Sequence, residues 1–326
     1  MRSGKELILA TKEFAHENRG KSWYYVFSTL AILILLLAGT YWNFHLLGKI
    51  VCSLLSSLVA IRMFIIYHDH QHGAILHKSK IADIIMTVFG IYILAPPSIW
   101  KRSHDYHHKH NSKLFSASIG SYPIMTKEKF LNSSKSERFG YLAVRHPVTI
   151  LFGYLSMFIY GMCIGSFLSS YKKHFDSAIS LVIHFGIAFL LFWFGGVQAL
   201  LLTLVIPLTI AFAMGAYLFY AQHNFPGVKF RENIEWSYEH AALESSSFMK
   251  MSPIMHWFTG NIGYHHIHHM NARIPFYRLP EAMSKIPELQ TAQTTSWNPR
   301  DIIKCFKLKV WDPEANQMIG LDQLKK

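Results

Sequence analysis

Three short histidine clusters are the parts of this sequence whose residue types and spacing could do chemistry. On a helix, side chains three or four positions apart lie on one face, so a cluster with that spacing presents its rings along one stripe. The histidines with this spacing are His68 and His72 in the first cluster, His104, His107 and His108 in the second, and His265, His268 and His269 in the third. A further histidine, His223, follows the last long apolar block. These nine histidines are the candidate ligands of the chain.

The number of candidate ligands indicates two metal ions. Neutral imidazole is a general ligand for zinc, copper, iron and nickel. A tetrahedral zinc ion takes four protein ligands at most, and a catalytic zinc ion takes three. Nine histidines therefore suit two metals that keep coordination positions open for oxygen or water. The neighbouring His70, His110 and His266 fall between the helical positions, so we expect them to point away from the metals.

The composition indicates a membrane protein. The chain has 326 residues, of which 51% are hydrophobic and only 16% are charged, so intrinsic disorder is excluded. Its three cysteines have no paired spacing, which argues against a disulfide framework or a thiolate metal site. The formal net charge of +13 comes without a basic–aromatic module, and we expect no nucleic-acid partner. The hydrophobic residues are clustered in long blocks instead.

Four of these apolar blocks have the length of a membrane crossing, which is roughly 20 residues. They run at about 22–42, 46–67, 178–196 and 197–221. The first two are joined by a few residues around Asn43, and the last two turn at Gly195 and Gly196, so each pair is expected to form a hairpin. Two further blocks, 81–97 and 147–169, are expected to lie at the membrane interface.

The distribution of positive charge predicts the orientation. Of the 32 lysine and arginine residues, 28 lie in segments 1–21, 68–146 and 222–326. Cytoplasmic segments of membrane proteins are enriched in these residues, so all three segments are expected on the cytoplasmic side. The prediction is thus one all-α integral membrane domain, residues 1–326, with four transmembrane helices. Segments 68–146 and 222–326 would form a cytoplasmic cap that carries the metal site.

At the three clusters the sequence resembles the membrane fatty acid desaturases, which carry three histidine boxes of the form H-x(3–4)-H, H-x-x-H-H and H-x-x-H-H. The stretch from Gly260 to His269 and the stretch from Arg273 to Ala282 look like the bacterial acyl-lipid branch, as does the H-D-x-x-H form of the first box. The resemblance covers roughly residues 60–290. The first box reads His-Asp-His-Gln-His where many relatives have Cys-Gly in the middle, which leaves the subgroup open.

The resemblance implies two non-haem irons, a mushroom-like fold with four crossings, molecular oxygen as the oxidant and a double bond introduced into an acyl chain of a lipid. It also implies a ligand role for His223, which matches the additional histidine that such enzymes place after the last crossing. In a bacterium the membrane would be the inner membrane, with both termini and the metal site cytoplasmic. The sequence has no His-Pro-Gly-Gly haem segment and no flavin or nicotinamide fingerprint, so electrons are expected from a separate donor of ferredoxin or cytochrome type.

Three polar residues adjoin the candidate ligands and are predicted to orient a ligand ring or a metal-bound water. They are Asp69, Asp105 and Asn261. Each aspartate directly follows a box histidine, and Asn261 precedes His265 by four positions. A solvated position at the interface is the alternative for both aspartates.

Other functions remain open on the sequence alone. A carotenoid ketolase or a lipid hydroxylase would use the same scaffold, although the run from Ile274 to Tyr277 favours a desaturase. A metal transporter would carry ligands along its crossings, where only Arg62 and His184 are found, without evident partners. An intramembrane zinc protease would require H-E-x-x-H, which the sequence lacks.

Overall fold

The structure is a computed structural model that describes residues 2–42, 45–114, 122–231 and 236–324. Within these residues the chain is mostly helical. Asn43, in the predicted turn of the first hairpin, lies outside them. The helical segments that are long and apolar enough to cross a membrane are Arg19–Tyr41, Leu46–Gln71 and Phe175–Ala221.

The first predicted hairpin corresponds to two long helices that pack against each other. The elements of this part of the chain are α1, Gly4–Ala10, a 3-10 turn, Thr11–Phe14, α2, Arg19–Tyr41, and α3, Leu46–Gln71. Asn18 caps α2 by accepting a hydrogen bond from the amide of Lys21 at 2.9 Å, so the helix starts where the polar N-terminal segment ends. Because α3 continues beyond the apolar block predicted to end at residue 67, the first histidine box lies on the same helix.

The apolar block at 81–97 forms a sharply bent pair of helices. Helix α4, Lys80–Tyr92, is followed by α5, Pro97–His110, and the two axes differ by 92°. Pro96 and Pro97 explain the bend, because proline lacks the amide that would continue α4 and is well tolerated at the first position of a helix. The bend directs α5, which carries the second box, to the end of α3. Helices α4 and α5 are long enough for a further membrane span only if the two are taken together as one segment.

Short helices connect α5 to the second hairpin. They are α6, Lys127–Asn132, α7, Lys135–Val144, α8, Pro147–Leu151, a π-helical segment, Tyr154–Gly165, and α9, Ser166–Ser169. Ser134 and Glu137 form a capping box that starts α7. The block predicted at 147–169 is therefore helical, but it is divided into three pieces.

The second hairpin consists of helices that are almost continuous in sequence. Helix α10, Phe175–Leu200, leads through a π-helical segment, Leu201–Val205, into α11, Ile206–Ala221. Gly196 interrupts this run with φ of 66° and ψ of −169°, a backbone conformation that is almost confined to glycine. The hydroxyl of Tyr41, at the end of α2, donates a hydrogen bond to the carbonyl of Phe194 at 3.2 Å, so the interruption lies beside the end of α2.

Contacts of Tyr154 show that the chain folds back at Gly196. The Tyr154 ring lies 5.6 Å from the ring of His184 on α10 and 5.4 Å from the ring of Phe212 on α11. In a straight α-helix with a rise of about 1.5 Å per residue, His184 and Phe212 would be about 40 Å apart. The chain therefore folds back at Gly196, as the two glycines predict, and the segment Tyr154–Gly165 contacts both α10 and α11.

The residues after α11, which belong to one of the two segments predicted to form the cap, fold into short elements that are not all helical. The helices are α12, Tyr238–Ser245, α13, Pro253–Phe258, α14, His265–Met270, α15, Leu279–Lys285, and α16, Pro299–Lys307, with 3-10 turns at Phe276–Arg278, Pro287–Thr291 and Leu321–Gln323. Strand β1, Phe248–Lys250, pairs in parallel with β2, Thr294–Ser296. Strand β3, Val310–Asp312, pairs antiparallel with β4, Gln317–Ile319. The all-α prediction is wrong in this detail, because three-residue strands are too short to show an alternating pattern in the sequence.

Arg62 and His184 both have partners within the fold, contrary to the sequence-based expectation. His184 Nε2 lies 2.6 Å from the hydroxyl of Tyr154. The guanidinium of Arg62 donates to the hydroxyl of Thr29 at 3.3 Å and to the carbonyl of Trp257, and it lies 4.3 Å from the centre of the Trp257 ring. Arg62 thus connects α3 to α2 and to α13.

Candidate metal centre

Four parts of the fold bring the nine candidate ligands together. His68 and His72 lie at the end of α3, His104, His107 and His108 on α5, His265, His268 and His269 on α14, and His223 directly after α11. On α5 and α14 the three histidines occupy positions i, i+3 and i+4, so their rings share one face of each helix. All nine lie in one of two groups of converging ring nitrogens.

The first group consists of His68, His72, His104, His108 and His268, and one ring nitrogen of each lies within 4.8 Å of the others. Nε2 of His104 lies 2.7 Å from Nε2 of His68 and 3.2 Å from Nε2 of His108. Nε2 of His108 in turn lies 3.0 Å from Nε2 of His268. Nε2 of His72 is buried and has no hydrogen-bond partner among the described residues.

The second group consists of His107, His223, His265 and His269. Nε2 of His265 lies 2.8 Å from Nε2 of His223 and 3.1 Å from Nε2 of His269. Nε2 of His107 lies 3.1 Å from Nε2 of His269. The two groups are adjacent, because the rings of His108 and His269 stack with their centres 4.4 Å apart.

The electrostatics of the groups fit metal ions. Burial lowers the pKa of His223 to about 4. Burial and neighbouring imidazoles lower the pKa of His265, His268 and His269 well below its ordinary value, so these rings are neutral. A neutral imidazole has one N–H donor and one lone pair, and Nε2 of His265 faces two other Nε2 atoms. Hydrogen bonds cannot satisfy such a converging set, whereas a cation that accepts nitrogen lone pairs can.

Two of the candidate ligands are also held on the outer side of the ring. Nδ1 of His68 lies 3.2 Å from one carboxylate oxygen of Asp69, and the other oxygen accepts a hydrogen bond from the amide of Phe276 at 2.6 Å. Nδ1 of His223 donates to the carbonyl of Ser245 at 2.9 Å. Such contacts fix the ring so that Nε2 is the nitrogen available to a metal.

Asp105 and Asn261 are placed differently from Asp69. The carboxylate of Asp105 forms a partly exposed ion pair with Lys101 at 2.8 Å, one turn earlier on α5, and it contacts no ligand ring among the described residues. The side-chain amide of Asn261 donates to the carbonyl of Phe276 at 3.0 Å. Asn261 has a φ of 58° and lies in the turn before α14, so its contacts support the loop rather than a ring. The role predicted for Asp105 and Asn261 at the metals stays a prediction, and their contacts in the structure give both of them other partners.

The three histidines between the ligand positions make other contacts. Nε2 of His70 lies 3.0 Å from the carboxylate of Asp83, and Nε2 of His266 lies 2.9 Å from the carbonyl of Leu289. Nδ1 of His110 lies 2.8 Å from the carbonyl of Tyr106. None of the three belongs to either group of converging nitrogens among the described residues.

A polar cluster at the start of α5 was not predicted from the sequence. Asp176, at the start of α10, accepts hydrogen bonds from the amide of Ser98 at 3.0 Å and from its hydroxyl at 2.6 Å. Nδ1 of His174 lies 2.8 Å from the same hydroxyl. The cluster caps the helix that carries the second box and ties it to α10. Its members are far apart in sequence, so no local pattern shows it.

Comparison with known sequences identifies the family. A sequence model described as fatty acid desaturase matches residues 45–300, which is more than half of the chain and includes all nine candidate ligands. The chain belongs to the fatty acid desaturase family. It is therefore similar along most of its length to oxidoreductases that desaturate fatty acyl chains.

Individual relatives agree with the family match. The chain is 27% identical over 265 residues to a fatty acid desaturase of Bacillus subtilis, covering 81% of this chain and 75% of the relative. It is 22% identical over 300 residues to an sn-1 oleoyl-lipid 12-desaturase of Synechocystis, covering 88% and 80%. It is 25% identical over 283 residues to a chloroplastic omega-3 fatty acid desaturase of Brassica napus, covering 82% and 67%. The relatives support acyl desaturation, and the apolar helices agree with a membrane protein.

Proposed function

We propose that this protein is a membrane desaturase that introduces a carbon–carbon double bond into an acyl chain of a lipid, using molecular oxygen and electrons from a separate donor. The observation that carries the proposal is the convergence of nine histidine nitrogens in two adjacent groups, within a chain of the fatty acid desaturase family. We assign one iron ion to each group, so that all nine histidines are ligands and the centre is a di-iron centre.

In such a centre, the nine imidazoles would bind the metals and neighbouring residues would orient the imidazole rings. When bound, a di-iron centre supplies the oxygen activation needed to remove hydrogen from an unactivated alkyl chain. The imidazoles would hold the metals. Eight of the nine rings are buried, which would keep the metals apart from bulk water, and His72 is partly exposed. Asp69 accepts from the outer nitrogen of His68 and holds that ring in place, while Ser245 does the same for His223.

A small apolar cavity marks a side from which an alkyl chain could approach the first group. The cavity of about 30 Å³ lies between α3, α11 and the π-helical segment Tyr154–Gly165, and its lining includes Phe64, Phe212 and Phe219. Phe64 and Phe219 lie 4.9 Å and 5.8 Å from Trp100, ring centre to ring centre. Trp100 in turn stacks on His104 at 4.9 Å. An alkyl chain in this region would therefore reach the first histidine group through apolar surroundings.

We further propose that α2, α3, α10 and α11 are four membrane crossings of a single domain. The cap and both termini would lie on the cytoplasmic side of a bacterial inner membrane. The excess of lysine and arginine in the cap supports this orientation. A basic surface there would attract an acidic electron donor, such as a ferredoxin, and would raise its association rate.

The proposal is tested by expressing the protein in a bacterial host that lacks desaturases and analysing the lipids by mass spectrometry with double-bond localisation. We expect new monounsaturated acyl chains with the wild-type protein and none with His107→Ala, which removes one ligand of the second group. His110→Ala, on the same helix but outside both groups, is the control and should retain the activity. Hydroxylated chains or oxygenated carotenoids with unchanged acyl saturation would instead indicate a hydroxylase or a ketolase.

A further inference from the structure

A pocket with a basic lining opens next to the first histidine group. It has a volume of about 400 Å³ and lies where the end of α3, the start of α4 and the start of α5 meet. His72 forms part of its wall, so the pocket adjoins the first group directly. Its volume is near the lower end of the range for small-molecule sites, which is roughly 300–1,000 Å³.

Three cations line the pocket, and two of them have no ion-pair partner within the described parts of the chain. Lys78 and Arg273 make no side-chain hydrogen bond or ion pair with any described residue, and the guanidinium of Arg273 lies close to Gly73. Lys101 is paired with Asp105. Asp83, which also lines the pocket, is bonded to His70. Asp83 brings one negative charge to the lining, and Lys78 and Arg273 together leave the pocket with an excess of positive charge.

The loop that carries Lys78 is held in a costly conformation. Lys78 and Leu76 have φ of 60° and 49°, values that are uncommon for residues other than glycine. The N-terminal segment fixes the loop, because Glu17 accepts a hydrogen bond from the amide of Leu76 at 2.7 Å and Arg19 donates to the carbonyl of His77 at 3.3 Å. Strained backbone that the surroundings hold in place is found mainly at binding and catalytic sites.

Helix α4 places this pocket beside an apolar groove. Asp83 and Thr87 line the pocket, while Ile84 and Val88, the next residues along α4, line a groove of about 420 Å³ between α4 and α2. The groove has an almost entirely apolar lining. The two sides of α4 thus offer a basic pocket and an apolar surface to the same amphiphilic molecule.

We propose that the basic pocket binds the phosphate group of a glycerophospholipid, with Arg273 and Lys78 as its charged contacts. This assignment rests on the proposed function and makes it more specific: the acyl chain to be desaturated is carried by a phospholipid. Arginine and lysine form strong charge-assisted hydrogen bonds to phosphate oxygens. A concave pocket of this size can enclose a glycerophosphate group, whereas an electron-donor protein would dock on a flatter surface. The neighbouring apolar groove suits a ligand that also has acyl chains.

The test measures lipid binding to the purified full-length protein by microscale thermophoresis in a non-ionic detergent. The probe is dioctanoylphosphatidylglycerol, and dioctanoylglycerol, which lacks the phosphate, is the matched neutral probe. We expect Arg273→Gln and Lys78→Gln each to weaken binding of the phospholipid by about tenfold, because each removes a charged contact to phosphate. Lys250→Gln, which removes an exposed cation of the cap outside the pocket, is the control and should bind like the wild type.

Several results would overturn the assignment. One is equal binding of the phospholipid and of dioctanoylglycerol, and another is phospholipid binding that is unchanged in both pocket variants. A third is that octanoyl-coenzyme A or inorganic phosphate binds more tightly than the phospholipid through Arg273 and Lys78. A fourth is that the pocket variants lose binding of the electron donor but keep binding of the phospholipid. Melting temperature and iron content show whether a variant is folded. If Arg273→Gln is not folded, Lys78→Gln is used for the test instead. Phospholipid binding that depends on Arg273, in a protein that forms no double bonds in cells, would reject the proposed function and leave the pocket assignment standing.

Discussion

The side chain of Asp69 connects the candidate ligand His68 to the region around the third histidine box. One carboxylate oxygen lies 3.2 Å from Nδ1 of His68, and the other accepts the amide hydrogen of Phe276 in the loop that follows α14. The same Phe276 accepts a hydrogen bond from Asn261 through its carbonyl. The end of α3 and the turn around the third box are therefore held together by one buried carboxylate.

We expect Asp69→Asn to weaken metal binding by about 10- to 100-fold, because an amide has a single acceptor oxygen and cannot serve both partners of the carboxylate. The measurement is the iron retained by the purified protein after dialysis against a series of chelator concentrations. Asp105→Asn is the matched control, since Asp105 also follows a box histidine but is paired with Lys101. Equal iron loss in the two variants would show that Asp69 has no special role.

The division of the nine rings into two groups can be tested separately. Removing His265, which belongs to the second group, should lower bound iron from about two ions to about one per chain, since the first group keeps its own ligands. Removing His268 should empty the first group and spare the second. Elemental analysis of His265→Ala and His268→Ala, with His110→Ala as the control, measures this. A single shared site would lose all of its metal in either variant.

Helical spacing was sufficient to predict that the histidines within one box share a face, whereas the place of His223 beside them was expected only from the family resemblance. The residues around them were predicted less well. Asp69 contacts a ring as expected, whereas Asp105 lies about 100° around α5 from His104 and pairs with Lys101. The contact of Ser98 with Asp176 joins residues on different helices, and such contacts follow from packing, which a single sequence does not reveal.

At the scale of the elements, Gly196 allows one nearly continuous helical run to become a hairpin. Its φ of 66° and ψ of −169° fall in a region that side chains strongly disfavour. The two adjacent glycines were a sufficient signal for the turn. The bend between α4 and α5 was signalled by two prolines, but its angle of 92° depends on how α5 packs against the histidines of the other elements.

We expect Gly196→Ala to destabilise the protein by about 1–3 kcal/mol, the cost of forcing a residue with a Cβ into this backbone conformation. A Cβ at position 196 would meet no atom within 4 Å, so the cost comes from the backbone alone. Gly186→Ala is the control, because Gly186 lies within α10 and a Cβ there also has open space. In that position alanine should be neutral or stabilising. Unfolding in detergent compares the two variants, and equal stability would contradict the role assigned to the turn.

At the scale of the whole molecule, the histidine groups, the basic pocket and most of the positive charge lie in the same part of the protein. Of the 32 lysine and arginine residues, 28 lie in the three segments that contain or adjoin the cap. The long apolar helices α2, α3, α10 and α11 extend away from this region, with many exposed hydrophobic side chains such as Leu35, Val182 and Trp193. This separation of charged and apolar surface matches a protein that is partly embedded in a membrane.

The proposed orientation predicts the outcome of reporter fusions in a bacterial host. Alkaline phosphatase should be active when fused after Trp42, at the far end of α2, because that position would lie outside the cytoplasm. It should be inactive when fused after Asn111, which follows the second box, or after Leu324, since both would lie on the cytoplasmic side. A fluorescent protein that folds only in the cytoplasm should give the reverse pattern at the same three positions. Phosphatase activity after Asn111 would place the histidine groups outside the cytoplasm, where a cytoplasmic ferredoxin could not deliver electrons to them.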